Sequence, residues 1–312
     1  MYEWNEAVQK MIDWIEEHIC DEPTLTRISK QVGYSPYYCS VRFHEITGIT
    51  LKSYIAGRRL RLAALAVRDT DERIIDIAVR CGYSSQEALT RAFQTAFGCT
   101  PASYRREPVP IPLSVRQVVC SPEQYSYQGE ITMSKTVLTE AHVKTEFIPA
   151  HKYLGVRNEN AHNYGDIWQY YDCDRVCGIV DSLSNVSDLI ISGHTAGWDN
   201  SKGDRRYFYG TGVPLDYSGK VPDGFDLREF PASYYLVFYH PAFDYLRDNG
   251  EVMSRVEELA WNYDISSFNG GKFEWNEDNC QCYQRHYPEV LGYQILRPIR
   301  STEDRRETSH LM

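Results

Sequence analysis

Nine cysteines are scattered through 312 residues. Two pairs stand close enough to raise metal ligation, Cys173 with Cys177 and Cys280 with Cys282. Neither CxxxC nor CxC is accompanied by histidine at finger spacing, so no metal site is expected. Catalytic signatures are missing too: there is no nucleophile elbow, HExxH, P-loop or dinucleotide fingerprint. GTGVPLDYSG, Gly210 to Gly219, lacks GxGxxG spacing, and no cofactor is expected. What the sequence does concentrate is positive charge. The formal charge is −10, yet through Pro108 basic and acidic residues balance at 14 each, and within 42–106 they stand 11 to 6. The remainder carries 19 basic and 29 acidic residues. A basic stretch inside an acidic chain suits contact with a phosphate backbone.

That stretch is written twice. GYSPYYCSVRFHEITG, Gly33 to Gly48, returns as GYSSQEALTRAFQTAFG, Gly82 to Gly98. A short helix pattern precedes each copy: Leu25, Ile28 and Val32 share one face of the first helix, and Ile74 (or Ile75), Ile77 and Ala78 share one face of the second. Ser29 and Ala78 are small residues where a second helix must approach. Gly33 and Gly82 permit the positive φ that ends a helix. Ser35 and Ser84 are expected as N-caps of the following helices, with Pro36 in the first turn. Phe43 and Ile46, then Leu89, Phe93 and Phe97, supply their apolar faces. Gly48 and Gly98 stop them. Between the copies, LKSYIAGRRLRLAALAVRD predicts a helix with arginines on one side and Leu60, Ala63, Ala64 and Val67 on the other. Helix, Gly turn and capped helix make a helix-turn-helix. Two in one chain, held at a fixed separation, are expected to enter successive major grooves about 34 Å apart.

Residues 5–106 resemble the DNA-binding region of AraC/XylS transcription regulators. SSQEALTRAF followed by FGCTPASYR is especially similar to the MarA/Rob branch. The resemblance implies base contacts from Gln86, Glu87, Thr90 and Arg91 in copy two, beside Ser85. Gln suits adenine, Arg guanine, and Glu the cytosine amino group. In copy one the matching positions are Tyr37, Ser40 and Val41. The family usually carries Arg where Val41 stands, and here an arginine follows as Arg42. Val41 suits a thymine methyl, whereas Arg42 suits a phosphate or a solvated face. Arg105 and Arg106 are expected on phosphates.

The second half changes texture. Residues 109–140 read as a Pro-, Ser- and Gln-containing linker. From 141 to 300 the pattern is α+β, and 301–312 form a polar tail. HVKTEFIPAHKYLGVRN predicts two strands around a Pro turn. YGDIWQYYDCDRVCGIVDSL is helix-like, and LIISGHTAGWD and RRYFYGTGVPLD are strand runs. VPDGFDLREFPASYYLVFYH predicts turn, strand, turn and strand. A helix follows with Val252, Val256, Leu259 and Ala260 on one face, and KFEWN and LGYQILRPI close as strands. The chain therefore reads as multidomain: an N-terminal all-α double helix-turn-helix domain (1–108) and a C-terminal α+β domain.

On the stretches IPAHKYLGVR, FYGTGVPLD, VPDGFDLREFPASYYLVFYH and YQILRPI, residues 141–300 resemble the GyrI-like (BmrR/Rob-type) effector-binding domain. That resemblance implies two βαββ-like halves around an aromatic-lined groove for a small molecule. Candidate lining residues are Trp168, Tyr171, Tyr209, Phe225, Phe238, Trp261, Phe273, Trp275 and Tyr293, among 29 aromatics in the last 204 residues. In GyrI-like domains that take cationic drugs, a Glu stands four residues before the Pro of the closing strand. Gln294 takes that place here, implying a neutral or anionic, aromatic or amphipathic effector. A shifted alignment would instead bring in Glu289 or Glu274.

The leading reading is a transcription regulator, an activator by family resemblance. Its expected partners are double-stranded promoter DNA, a small-molecule effector and RNA polymerase. The amphipathic, acidic N-terminus has no signal-peptide pattern and no apolar run reaches membrane-spanning length, so a cytoplasmic location is expected. A second reading makes the C-terminal half a hydrolase using Glu274, Tyr209 and Glu146, as some GyrI-like domains resemble. A third makes it a DNA-architectural or partner-binding protein without a pocket.

Overall fold

The structure is a computed structural model. It describes residues 2–21, 23–119, 140–183, 191–200, 204–288 and 291–302. Most of the expected linker, nearly all of the tail, Glu289 and the start of the LIISG run lie outside the described residues. The chain divides into two compact units, Met1–Thr132 with Cys177–Ser182, and Met133–Val176 with Leu183–Met312. No helix among the described residues is long and apolar enough to cross a membrane.

The first unit holds seven helices over residues 2–106: α1 (Tyr2–Glu17), α2 (Leu25–Val32), α3 (Pro36–Thr47), α4 (Leu51–Asp69), α5 (Ile74–Arg80), α6 (Gln86–Phe97) and α7 (Pro101–Arg106). Two separate cores mirror the sequence repeat. One gathers Val8, Met11, Ile12, Ile15, Ile28, Cys39, Phe43 and Tyr54. The other gathers Leu60, Ala63, Ala64, Val67, Ile77, Ala78, Leu89, Phe93 and Tyr104. Helix α4 contributes to both, Leu51 and Tyr54 at its start and Leu60 onward at its end. Its arginines also serve the fold. Arg58 donates to both Glu16 carboxylate oxygens, and Arg59 donates to the Ile19 carbonyl at 3.0 Å.

The second unit is an antiparallel sheet with helices. Its elements are β1 (His142–Ile148), β2 (His151–Arg157), α8 (Tyr164–Ile167), α9 (Cys173–Leu183, whose Cys177–Ser182 stretch is grouped with the first unit), β3 (Thr195–Asp199), β4 (Arg206–Val213), β5 (Asp226–Phe230), β6 (Ser233–His240), α10 (Tyr245–Asn262), β7 (Phe273–Trp275), β8 (Cys282–Tyr287) and β9 (Gly292–Ser301). A 3-10 segment, Ile265–Gly271, follows α10. Strand order is β1-β6-β9-β8-β3-β4-β2-β5, with β7 also on β9. Strand, helix and two strands thus occur twice, as β2, α9, β3, β4 and as β6, α10, β8, β9, and the halves meet where β3 pairs β8.

The two strands expected around Pro149 do not pair with each other. Strand β1 pairs β6 while β2 pairs β5 in a continuing register, Ile148 opposite Ser233 and then His151 opposite Phe230. Pro149-Ala150 and Pro231-Ala232 interrupt both ladders at the same level, because proline cannot donate to a ladder. One long bent ribbon results, and each proline redirects a strand where a turn was expected.

Candidate nucleic-acid interface and aromatic cleft

Each second helix of the repeats is built by its ends. Ser35 accepts a hydrogen bond from the Tyr38 N–H, and Pro36 occupies the first turn of α3. In copy two the cap is Ser85, which accepts from the Ala88 N–H at 3.2 Å. The expectation of Ser84 is corrected: the turn of copy two is one residue longer, and Ser84 belongs to it. Counted from the caps, Cys39 aligns with Leu89, Phe43 with Phe93 and Val41 with Arg91. The first two pairs are all buried. Gly48 and Gly98 close the helices at φ 75° and 72°, a conformation that favours glycine.

On α6, Gln86, Glu87 and Arg91 are exposed and Thr90 is half-buried. The Ser85 hydroxyl beside Glu87 holds its carboxyl below the usual range, so it is an ionised acceptor at neutral pH. On α3, Tyr37 is 72% exposed, while Ser40 and Val41 are half-buried. Tyr38, beside Tyr37 at a ring distance of 5.7 Å, is also exposed and was not among the expected contacts. Arg42 pairs with Glu45 at 2.7 Å and lies 5.5 Å over Trp4. Arg105 is not free for phosphate: its guanidinium donates to the carbonyls of Val67 at 2.9 Å and Glu72 at 2.7 Å. It ties α7 to the end of α4, and only Arg106 of that pair is exposed.

In the second unit, a cleft of about 440 Å³ opens between α10 and the central strands. Tyr164, His194, Ala196, Tyr207, Tyr209, Tyr245, Asn249, Met253, Gln284 and His286 line it. Two periodicities bring them together. Residues 245, 249 and 253 stand four apart on α10, and 207 with 209, like 284 with 286, stand two apart on strands. The lining is internally hydrogen-bonded. Tyr207 donates to Gln284 at 2.6 Å, and Gln284 donates to the Tyr293 hydroxyl at 2.9 Å. Tyr293 in turn donates to Glu257 at 2.9 Å. His194 Nδ1 is 2.8 Å from the Tyr209 hydroxyl, and His286 Nε2 is 2.8 Å from Asn249 Oδ1. Burial pushes the His286 imidazole below its ordinary pKa and favours its neutral form. Among the described residues, no Lys, Arg, Asp or Glu lines this cleft.

Of the expected lining residues, Tyr209 alone is on the wall. Trp168 stands behind it, ring to ring at 4.9 Å, with its indole N–H buried and unpartnered among the described residues. Tyr293 connects through Gln284. The others are dispersed, because aromatic content marks cores as readily as grooves. Phe238 is fully buried against Tyr263. Trp261 packs on Trp198, Trp275 lies under Arg297, and Phe273 meets Phe268. Tyr171 donates to the Arg157 carbonyl, and Phe225 lines a separate, charged cleft. Gln294 does not line this cleft. It stands opposite Arg285 on β8 and accepts from that guanidinium at 3.2 Å, one position out of phase with Tyr293 and so on the other face of the sheet. Glu146 binds Arg285 and Glu274 binds Arg300, so neither joins Tyr209. The hydrolase arrangement is not assembled.

The sequence missed the cleft because neighbours such as His194 and Gln284 meet only through the β3–β8 pairing. The four-residue stripe Tyr245, Asn249 and Met253 was the one local signal.

Two capped helices, each exposing one face and burying the other in its own core, define the first unit as a double helix-turn-helix module. A helix-turn-helix family model matches residues 28–107. Over 100 residues the chain is 41% identical to the regulatory protein SoxS of Salmonella typhimurium, covering 32% of this chain and 94% of that protein. It is 37% identical over 101 residues to the right origin-binding protein of Escherichia coli K12, covering 32% of this chain and 35% of the relative. Among solved structures, the C-terminal domain of AraT, a response regulator from Geobacillus stearothermophilus, is 30% identical with a TM-score of 0.31, over 32% of this chain and 84% of that one. The chain belongs to the AraC/XylS family of DNA-binding transcription regulators. These likenesses each span about a third of it.

Proposed function

We propose that this protein is a ligand-responsive regulator in which 1–108 reads promoter DNA and 141–300, joined by 109–140, senses a small molecule. Helix α6 is the principal reader. Gln86 supplies a donor and an acceptor for adenine, Arg91 paired donors for guanine, Glu87 an acceptor for cytosine, and Thr90 and Ser85 the flanking contacts. Tyr37, Ser40 and Val41 make a more apolar surface on α3, suited to thymine methyls. Arg106 and Arg42 hold phosphates. Activation through RNA polymerase follows the resemblance to MarA/Rob-type regulators.

The effector reading rests on the tyrosine-lined cleft. The doubled strand-helix-strand-strand order supports the GyrI-like assignment. The cleft is of a size to bury a drug-sized molecule, and its uncharged lining of hydroxyls, amides and imidazoles favours a flat neutral aromatic. Its neutrality comes from the wall itself rather than from Gln294. To regulate, the effector must favour one of two states by about 1–3 kcal/mol.

The test is to select bound sequences from random DNA with the full chain, with and without planar aromatic compounds of each charge. The expected outcome is a two-part site whose occupancy changes with a neutral compound that also raises the melting temperature. Absence of any sequence preference would refute the DNA reading. A melting shift from cations alone, or from nothing, would refute the effector reading.

A further inference from the structure

Strand β1 ends the sheet, pairing with β6 on one side only among the described residues. Its seven residues, HVKTEFI, are exposed over most of their length. Val143 and Phe147 face one side at 37% and 47% exposure, with Tyr234, across from Phe147, at 55%. Lys144 and Glu146 face the other. An open edge of this length is a template for another strand.

The sequence of β1 is self-complementary. A two-fold axis perpendicular to the sheet keeps its faces continuous, so an antiparallel β1–β1 pair must be centred on a residue, not between two. Centred on Thr145, the register sets Val143 opposite the other copy's Phe147 and Lys144 opposite the other copy's Glu146. Apolar therefore meets apolar and cation meets carboxylate, twice over by symmetry. Centring on Lys144 or Glu146 instead opposes like charges. At the opposite edge of the sheet, β5 reads DLREF, and its centred register would set Arg228 against Arg228. Glu146 is pre-positioned, held by Arg285 at 2.6 Å, and Lys144 lies 5.2 Å over Tyr239.

We propose that β1 is a homodimer edge, joining two copies through an antiparallel β1–β1 pair centred on Thr145 and bringing four helix-turn-helix units into one assembly. The test uses the full chain. Sedimentation equilibrium is expected to give a dimer, and Lys144→Glu to weaken it about tenfold by opposing carboxylates at both symmetric positions. Thr145→Cys, oxidised with diamide, is expected to yield a covalent dimer above the wild-type background. At the axis, opposed Cα atoms stand about 4.5–5.5 Å apart, within disulfide reach. Lys144→Cys is not expected to cross-link, since its own copy is a diagonal neighbour at about 7–8 Å. Unchanged thermal melting certifies that each variant folds. A monomeric wild type overturns the proposal, as does a dimer that Thr145→Cys fails to trap. So does a dimer seen only after residues 120–139 are deleted, which would mean that the chain covers its own edge.

Discussion

Arg91 and Arg105 both look like DNA contacts in the sequence, and their surroundings separate them. Arg91 is exposed one turn beyond Glu87 on a helix whose start is capped, so its guanidinium can reach a base edge. Arg105 already serves two backbone carbonyls. Arg91→Ala is therefore expected to cost about 1–3 kcal/mol on the cognate site and to relax preference at one base pair. Arg105→Ala is expected to leave preference intact and to lower stability by about 1–3 kcal/mol, because two hydrogen bonds to the ends of other elements are lost. Binding titrations on cognate and single-mismatch duplexes, beside thermal melts, distinguish the two. Uniform weakening by Arg91→Ala across all duplexes would reassign that residue to phosphate.

The second helices of the two repeats share a frame but not a surface. Buried Cys39 and Phe43 in α3 match Leu89 and Phe93 in α6, and both helices end at a left-handed glycine. At the position where α6 carries exposed Arg91, α3 carries half-buried Val41, and Arg42 is engaged with Glu45 and Trp4. An aliphatic contact discriminates less than a bidentate one. Scrambling the half-site under α6 is thus expected to reduce affinity more than scrambling the one under α3, in a competition assay at fixed salt; the opposite ranking would make α3 the principal reader. These helices were legible in the sequence because caps, stops and a period of 3.6 are local signals. The cap of α6 was misplaced because adjacent serines, Ser84 and Ser85, offer the same chemistry, and only the packing of Leu89 and Phe93 decides between them. The strands were legible as segments for a like reason. Their neighbours were not, since the pairing of β1 with β6 and of β3 with β8 joins residues about 90 apart in the chain, and the cleft depends on that pairing.

At the scale of the whole molecule, buried imidazoles couple the stability of the sheet unit to pH. His151 is fully buried, its two ring nitrogens near the Pro149 carbonyl and the Tyr283 hydroxyl, and burial depresses its pKa. His286, on the cleft wall beside Asn249, Tyr245 and Tyr293, is depressed for the same reason. In the unfolded chain both titrate near the ordinary value of about 6.5. Between that value and their lower folded values, the unfolded state binds more protons, so stability rises with pH in this window. The contribution is fully present above about pH 6.5 and is lost as pH falls through the folded pKa values. Melting of the sheet unit, followed by near-ultraviolet circular dichroism from its many tyrosines and tryptophans, is expected to shift to lower temperature between pH 7.5 and 5. His286→Gln is expected to flatten that dependence, because an amide can still meet Asn249 without titrating. Protonating His286 also places a positive charge on the cleft wall. Affinity for a neutral aromatic should then fall over the same pH range in wild type and much less in His286→Gln. An acid response identical in the two proteins would remove His286 from both roles and leave His151 as the residue that couples the sheet to pH.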